Sequence, residues 1–223
     1  MKRATTTGCG KYSHPEISVA YDPDQVLGSD VNWLLEWLEA EVADGRKFFP
    51  DETIQLGWIV MKIAAFRDGI LKVCELDMKA FPARFIDSVT NTLAHLRFQK
   101  MTSESIGVEN ELVFSSLRDS AITCTWFGEH TGVFMNRLSP NDSDSGWFIG
   151  CDDKNHDHQD SNNLLLKSLY ELVVVYEQSI IPYLALPPGI SVHVCNGIPI
   201  LHRKDKELAI RPNSYLAALL LRK

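Results

Sequence analysis

The Asn196-Gly197 pair constrains the fold more than any other short feature of the sequence. It lies between two β-rich runs, ISVHVC at 190–195 and IPILHR at 198–203. Asn-Gly is the preferred pair for a type I′ turn, in which both central residues need a positive φ, so the two runs are predicted to form an antiparallel hairpin. Pro199 lacks a backbone N–H and therefore predicts that the second strand lies at a sheet edge.

Hydrophobic spacing predicts three main helices. Residues 31–44, with Asp30 as the N-cap, and residues 83–97, with Pro82 in the first turn, each carry apolar side chains at helical period. Residues 162–177 are the most apolar of the three segments and have only a narrow polar stripe. They predict a central helix that is packed on several sides.

Short β-rich runs occupy the segments between these helices. Residues 54–76 are divided by Asp68-Gly69, a strong hairpin signal, and are predicted to form two antiparallel strands. Further strands are predicted at 110–115, 120–127, 132–137 and 146–151, with a turn at 128–132. The pattern predicts an α+β fold, a mostly antiparallel sheet with three main helices packed on it.

The same pattern suggests how the chain is divided. Residues 1–29 lack periodicity and predict an N-terminal arm, loose over at least residues 1–15. Residues 30–105 are predicted to be an N-terminal α+β part. Residues 106–223 are predicted to be a C-terminal α+β part, which could form one continuous domain with the preceding part.

The charge of the chain is acidic and unevenly distributed. The 223 residues contain 22 Lys and Arg against 29 Asp and Glu, a net charge of −7. Residues 141–160 contain six Asp and one Lys, a net charge of −5, so the rest of the chain carries only −2. Because the chain has no excess of positive charge to neutralise phosphates or anionic lipids, neither nucleic-acid binding nor membrane-surface binding is expected.

Cysteine usage and the first residues indicate a compartment. The five cysteines, an odd number, are widely spaced and form no C-x-x-C pair, which is typical of a reduced chain. The start, MKRATTTGCGKYSH, has no apolar run behind its basic pair, and no apolar stretch is long enough to cross a bilayer. A cytoplasmic protein is expected.

The stretch DDKNHDHQD at 152–160 contains the side chains best suited to bind a metal. Its spacing fails as a calcium loop, because His158 stands where the loop needs Gly and Leu164 where it needs Glu. His156, Asp157 and His158 could instead hold a catalytic zinc with one position left open for water. The alternative is a solvated acidic loop whose Asp160 or Ser161 caps the next helix.

Other catalytic patterns are weak. The sequence has no G-x-S-x-G and no phosphate-binding loop, and no cofactor is expected. Cys124 and Cys151 lie in apolar runs, where a small buried residue is the usual explanation. His193 alternates with valines on a strand and is expected at the surface or in a hydrogen bond. Trp147 lies in a short apolar run between aspartates, which predicts a core position.

The order of four segments resembles the immunity protein 33 family. The segments are DSGWFIGCDD at 144–153, SLYELVV at 168–174, IIPYLALPPG at 180–189 and RPNSYL at 211–216. An upstream block, CELDMKAFPARFIDSVTNTLAHLRFQK at 74–100, resembles the N-terminal extension of longer relatives. Proteins of this family are assigned to bacterial polymorphic toxin systems and to contact- or secretion-dependent competition between bacteria.

The resemblance implies a protein without enzymatic activity that binds and neutralises a cognate toxin, an antibacterial effector, by occluding its active site. Acidic residues would suit a basic catalytic cleft, because complementary charge raises the association rate and specificity. The candidate toxin-binding residues are Asp142, Asp144, Asp152, Asp153, Asp157 and Asp160. Two alternatives stay open at this point: a metal-dependent hydrolase that uses the 152–160 cluster, and a scaffold protein with no toxin partner.

Overall fold

The computed structural model describes residues 1–129 and 132–221. Two compact units make up the chain, Met1–Leu96 and Arg97–Lys223, and each contains its own β-sheet. Both sheets are mixed with helical segments, which confirms the predicted α+β class. Among the described residues, none of the helices is both long and apolar enough to cross a lipid bilayer.

The sheet of the N-terminal unit has six strands in the described chain. They are β1 Lys2–Thr5, β2 Ile17–Tyr21, β3 Thr53–Leu56, β4 Ile59–Ala65, β5 Leu71–Leu76 and β6 Phe85–Ile86. The order is β1-β2-β5-β4-β3, with β6 beside β5. The β2/β5 pair is parallel and the other pairs are antiparallel. The loose start predicted for the arm is wrong, because β1 and β2 pair within this sheet and a 3-10 helix, Cys9–Tyr12, lies between them.

Helix α1, Gly28–Ala43, matches the first predicted helix. Its buried residues, Val31, Leu34, Leu38 and Val42, are the predicted apolar stripe. The helix begins earlier than expected, with Leu27 at the N-cap position. Asp30 lies in the first turn, where its negative charge interacts favourably with the helix dipole.

Residues 54–76 form three strands and not two. The predicted hairpin is present between β4 and β5, and Asp68 and Gly69 both have positive φ, 58° and 74°. A second hairpin between β3 and β4 turns at Gly57, where φ is 59°. Sequence patterning misses this turn because β-rich residues continue on both sides of it.

Helix α2, Thr90–Ile106, begins later and ends later than the predicted 83–97. Its start is fixed by Glu75 of β5, a carboxylate 1% exposed that accepts hydrogen bonds from the backbone N–H of Asn91 and of Thr92. A cap supplied from a distant strand leaves no local sequence signal. At the polar end of the helix, Ser105 Oγ donates to the backbone oxygen of Met101.

The sheet of the C-terminal unit has seven strands in the described residues, in the order β10-β7-β9-β8-β11-β12-β13. Their ranges are β7 Ser120–Cys124, β8 Gly132–Arg137, β9 Asp144–Cys151, β10 Leu164–Ser168, β11 Ile190–Cys195, β12 Ile198–Arg203 and β13 Lys206–Glu207. The β7/β9 pair is parallel, and the others are antiparallel.

Most strand predictions for this unit are confirmed. The β11/β12 hairpin turns at Asn196 and Gly197, with φ of 52° and 75°. Pro199 lies in the part of β12 that the short β13 does not cover, so its missing N–H faces a sheet edge. The predicted strand at 110–115 is absent, since these described residues form a turn and irregular backbone. The second half of the turn predicted at 128–132 includes residues 130 and 131, which lie outside the described part of the chain.

The helix predicted over 162–177 is wrong in its first half. Leu164–Ser168 is the edge strand β10, paired with β7. Helix begins only after Ser168, whose side chain accepts from the N–H of Glu171, and comprises α3, Leu169–Glu171, and a π-helical turn, Leu172–Tyr176. A run so uniformly apolar has no period that distinguishes strand from helix. A 3-10 helix, Gln178–Tyr183, and α4, Tyr215–Leu220, complete the unit.

Trp147 lies in the core of this unit, as predicted, and is 1% exposed. Its indole Nε1–H donates to the backbone oxygen of Leu184 at 3.2 Å. The guanidinium of Arg137, fully buried, lies over the indole with its central carbon 5.0 Å from the ring centroid. A buried tryptophan with a satisfied N–H is the arrangement that best uses its large apolar surface.

Candidate functional site

The structure separates the six candidate aspartates into two groups. Asp142 and Asp144 lie at the start of β9, whereas Asp152, Asp153, Asp157 and Asp160 follow its end. The eight-residue strand keeps the two groups about 25 Å apart. The six residues therefore do not form one continuous patch, and we use the name acidic loop for residues 152–160 alone.

Three carboxylates of the acidic loop shape its backbone. Asp153, Asp157 and Asp160 each accept a hydrogen bond from the N–H two residues further on, at 2.8, 2.9 and 2.9 Å. These are Asx turns, which let a polar loop satisfy its own backbone groups. Asp160 is also the N-cap of a 3-10 helix, Ser161–Asn163, so the predicted cap is confirmed on a shorter helix.

A row of partly exposed side chains crosses the outer face of the C-terminal sheet. The β-ladder register pairs Leu166 with Ile122, Ile122 with Phe148, Phe134 with His193, and His193 with Ile200. We call these six residues the outer-face row. Four of them expose 36–70% of their surface: Leu166, Ile122, Phe134 and Ile200.

The acidic loop borders the outer-face row. Asp152 Oδ2 lies 3.4 Å from His193 Nε2, and the ring of His158 meets the ring of Phe148 edge to face at 5.6 Å. Asp152 also covers Gly132, where an added Cβ would clash with its carboxylate. Apolar side chains and negative charge thus form one continuous surface at this edge of the sheet.

A second group of side chains lies beneath the same loop. The ligand atoms of Cys124, Cys151, His156 and His158 all lie within 4.8 Å of one another. Cys124 ends β7 and Cys151 ends β9, and the two strands are parallel neighbours, so their carboxyl ends meet at one edge. The loop that follows β9 brings the two imidazoles over the two thiols.

Burial controls the protonation of two members of this group. Burial raises the pKa of the Cys151 thiol. The pKa of His158 is lowered, mainly by burial and to a smaller extent by the neighbouring His156 ring. The two imidazole rings are stacked, with centroids 4.8 Å apart and planes 12° apart. The Cys151 thiol and the His158 ring are therefore neutral near pH 7 in the protein alone.

The ring of His156 has no hydrogen-bonding partner among the described residues. It is 6% exposed, and neither its Nδ1 nor its Nε2 is hydrogen-bonded to any residue that the structure describes. The indole of Trp126 meets the ring edge to face at 4.4 Å. A buried imidazole without polar partners is unfavourable, and such a group calls for a specific explanation.

The metal triad predicted from the sequence is only partly assembled. His156 and His158 come together, but Asp157 is exposed and does not belong to the described group of four. Cys124 and Cys151 are buried, as predicted, yet their sulfurs also lie within 4.8 Å of the imidazole nitrogens, which sequence reasoning misses. They are 27 residues apart, and only the β7/β9 pairing brings them together.

Comparison with known proteins identifies one class of domain. Residues 99–199 match the family model of the Imm33-like domain. This confirms the family resemblance read from the sequence over 144–199, and extends it upstream to residue 99. The match contains β7 to β11 and the acidic loop. Neither the curated proteins nor the solved structures gave a match to the chain.

Proposed function

We propose that the protein is an immunity protein that binds a cognate antibacterial toxin and neutralises it by covering the toxin's active site. The observation that carries the proposal is the match of residues 99–199 to the Imm33-like domain. Immunity proteins act by binding, so the functional residues are those of an interface and not of a catalytic centre.

We place the toxin-contact surface on the outer-face row and the acidic loop. Protein interfaces typically have an apolar centre with a polar, charged rim, and this surface has that composition. The sheet residues would supply buried contact area. The loop carboxylates would attract a basic partner and raise the association rate more than the final affinity.

Of the six aspartates, the proposal keeps the four that border the row: Asp152, Asp153, Asp157 and Asp160. Asp142 and Asp144 lie at the other end of β9 and are not part of this surface. The two groups of aspartates supply a matched control, because Asp→Asn substitutions can remove negative charge from either end of β9.

The test uses the purified cognate toxin. The triple variant Asp152→Asn, Asp153→Asn, Asp157→Asn should associate about 10-fold more slowly at low salt and show a flatter salt dependence. Asparagine can still accept the turn hydrogen bonds, and exposed charges contribute about 1 kcal/mol or less each to stability, so folding should be nearly unchanged. Stopped-flow association rates at low and high salt give the measurement.

The control is the double variant Asp142→Asn, Asp144→Asn, which should associate at the wild-type rate. If the double variant is the slower one, the contact surface lies at the opposite end of β9. A failure of the wild-type protein to bind the toxin, or to protect cells that express it, would contradict the proposed function itself.

A further inference from the structure

The second group of side chains at this edge of the sheet has the composition of a metal site. It combines two thiols, Cys124 and Cys151, with two imidazoles, His156 and His158, and their ligand atoms all lie within 4.8 Å of one another. The group lies inside the matched domain and uses none of the four aspartates assigned to toxin contact, although His156 and His158 belong to the acidic loop. A metal could therefore bind there whether or not the protein neutralises a toxin.

We propose that Cys124, Cys151, His156 and His158 bind one zinc ion and that this ion fixes the acidic loop to the ends of β7 and β9. Two sulfur and two nitrogen ligands in tetrahedral arrangement are typical of zinc among the common divalent metals. The site has four protein ligands and therefore no open position for water, which makes it structural and not catalytic.

The distances fit a tetrahedron after a small contraction. Zinc bonds of about 2.3 Å to sulfur and about 2.0–2.1 Å to nitrogen place the ligand atoms roughly 3.3–3.8 Å apart. Cys151 Sγ and His158 Nε2 are 3.5 Å apart, which is already the distance required between a sulfur and a nitrogen ligand. The widest separation, at most 4.8 Å, needs to close by about 1 Å.

His156 supplies the independent observation. Its ring is 6% exposed and lies among the other three ligands, and neither nitrogen has a hydrogen-bond partner in the described chain. No described side chain or backbone group donates a hydrogen bond to either ring nitrogen. Coordination to zinc satisfies one of these nitrogens, and no other chemistry available in the group does so as fully.

The surroundings favour a closed site. Trp126 contacts the ring of His156, and Phe148 contacts the ring of His158, so aromatic side chains hold both imidazoles in orientation. Cys124 and Cys151 are 2% and 1% exposed, which leaves no route for a substrate to reach either sulfur. The geometry therefore favours a bound ion over a Cys-His nucleophile.

Binding has a simple balance of charge. Each thiol releases one proton to solvent as its sulfur bonds to the metal, and each imidazole binds through an unprotonated ring nitrogen. The two thiolates neutralise the charge of Zn²⁺, so a neutral complex remains beneath the acidic loop. No oxidant or reductant takes part.

The test uses the full chain, fully reduced and freed of metal, and then titrated with Zn²⁺ or Co²⁺ alone. We expect one zinc per chain by elemental analysis, and a cobalt spectrum with thiolate charge-transfer and tetrahedral ligand-field bands. At a zinc concentration about 1,000 times the dissociation constant, the Tm should rise by about 10 °C. Cys124→Ser and His156→Ala should each weaken zinc binding more than about 100-fold.

Matched substitutions outside the group provide the controls. Cys195→Ser changes an exposed cysteine, and His202→Ala changes a histidine of β12, so both variants should keep wild-type zinc binding. Because a ligand variant could fail to fold, the cobalt spectrum of the wild-type protein is read independently of any variant.

Three outcomes would overturn the proposal. One is the absence of stoichiometric zinc and cobalt binding by the reduced wild-type chain. Another is zinc binding that survives both ligand substitutions. The third is a Cys124–Cys151 disulfide that resists reduction in the folded protein, because the two sulfurs would then be unavailable to a metal.

Discussion

Arg137 and His156 are both buried polar residues of the C-terminal unit, and their surroundings differ. The Arg137 guanidinium donates to the backbone oxygen of Leu184 at 2.5 Å and to Ser115 Oγ at 2.8 Å, and it lies over the Trp147 ring. Burial lowers its pKa to about 10, so it stays charged at neutral pH. His156 has no such bonds among the described residues.

The difference separates two uses of a buried polar group. Arg137 links β8 to the segment that follows the 3-10 helix Gln178–Tyr183, and its bonds are made within the protein. The His156 ring is surrounded by atoms that bind a metal but do not donate to it. The two terminal nitrogens of Arg137 are bonded within the chain, although its Nε is not, and this residue stabilises the fold. An imidazole with neither nitrogen bonded, lying among potential metal ligands, instead indicates a ligand from outside.

The largest expected effect is from Arg137→Met. The substitution keeps much of the apolar stem but removes two charge-assisted hydrogen bonds, and we expect it to lower the free energy of unfolding by about 3 kcal/mol. Urea denaturation gives the measurement. The matched control is Arg203→Met, which removes an exposed ion pair to Glu111 and should cost less than about 1 kcal/mol. Zinc content should be unchanged in both.

An intermediate effect is expected from His95, in the N-terminal unit. This residue is 9% exposed, lies against Trp58 and has an unpartnered Nδ1 within the described chain. Unlike His156, it does not belong to the described group of potential metal ligands. Burial lowers its pKa from 6.5 to about 4. It is therefore a buried imidazole with one unpartnered nitrogen and without a metal-binding set, whereas both nitrogens of His156 are unpartnered in the described chain.

The pH dependence from His95 has a definite sign. Between pH 6.5 and 4 the unfolded chain binds a proton that the native chain does not, so the stabilisation is present above pH 6.5 and is lost on acidification. From pH 7 to pH 5 the free energy of unfolding should fall by about 2 kcal/mol through this residue. His95→Leu should flatten this part of the pH profile, and zinc should not alter it. An equally steep profile in the variant would assign the effect to other groups.

The smallest effect is expected from His156→Leu in metal-free protein. No hydrogen bond is lost, so the change in the free energy of unfolding should be less than about 1 kcal/mol in either direction. Adding zinc should then stabilise the wild-type chain but not the variant. If the metal-free variant instead loses as much stability as Arg137→Met, His156 has structural bonds and the contrast between the two residues fails.

Local signals in the sequence identify much of the fold. The Asn196-Gly197 turn and the apolar stripe of α1 depend on residues next to each other in the chain, and both are present. The start of α2 is misplaced by sequence patterning because Glu75, its capping residue, comes from another strand. Leu164–Ser168 belongs to an apolar run whose pattern does not distinguish helix from strand, and its pairing with β7 makes it a strand.

The candidate site shows the same limit more clearly. The two histidines are recognisable because they are separated by one residue, but Cys124 and Cys151 look only like small buried residues. Their relation to the imidazoles depends on a parallel strand pair, which has no signature at either cysteine. Likewise, the six aspartates within 141–160 form one group in the sequence, although β9 separates them in the fold.

The strand order of the C-terminal unit also determines a sequence of assembly. β8 and β9 are neighbours in the chain and in the sheet, whereas β7 pairs only with strands that are synthesised after it. We therefore expect the β8/β9 hairpin to form first, and β7 to remain without a partner until β9 is in place, because non-local pairing is slow. In a chain emerging from the ribosome, the apolar residues of β7 would stay exposed to solvent until β9 is synthesised. Nascent chains would be prone to aggregate at this stage.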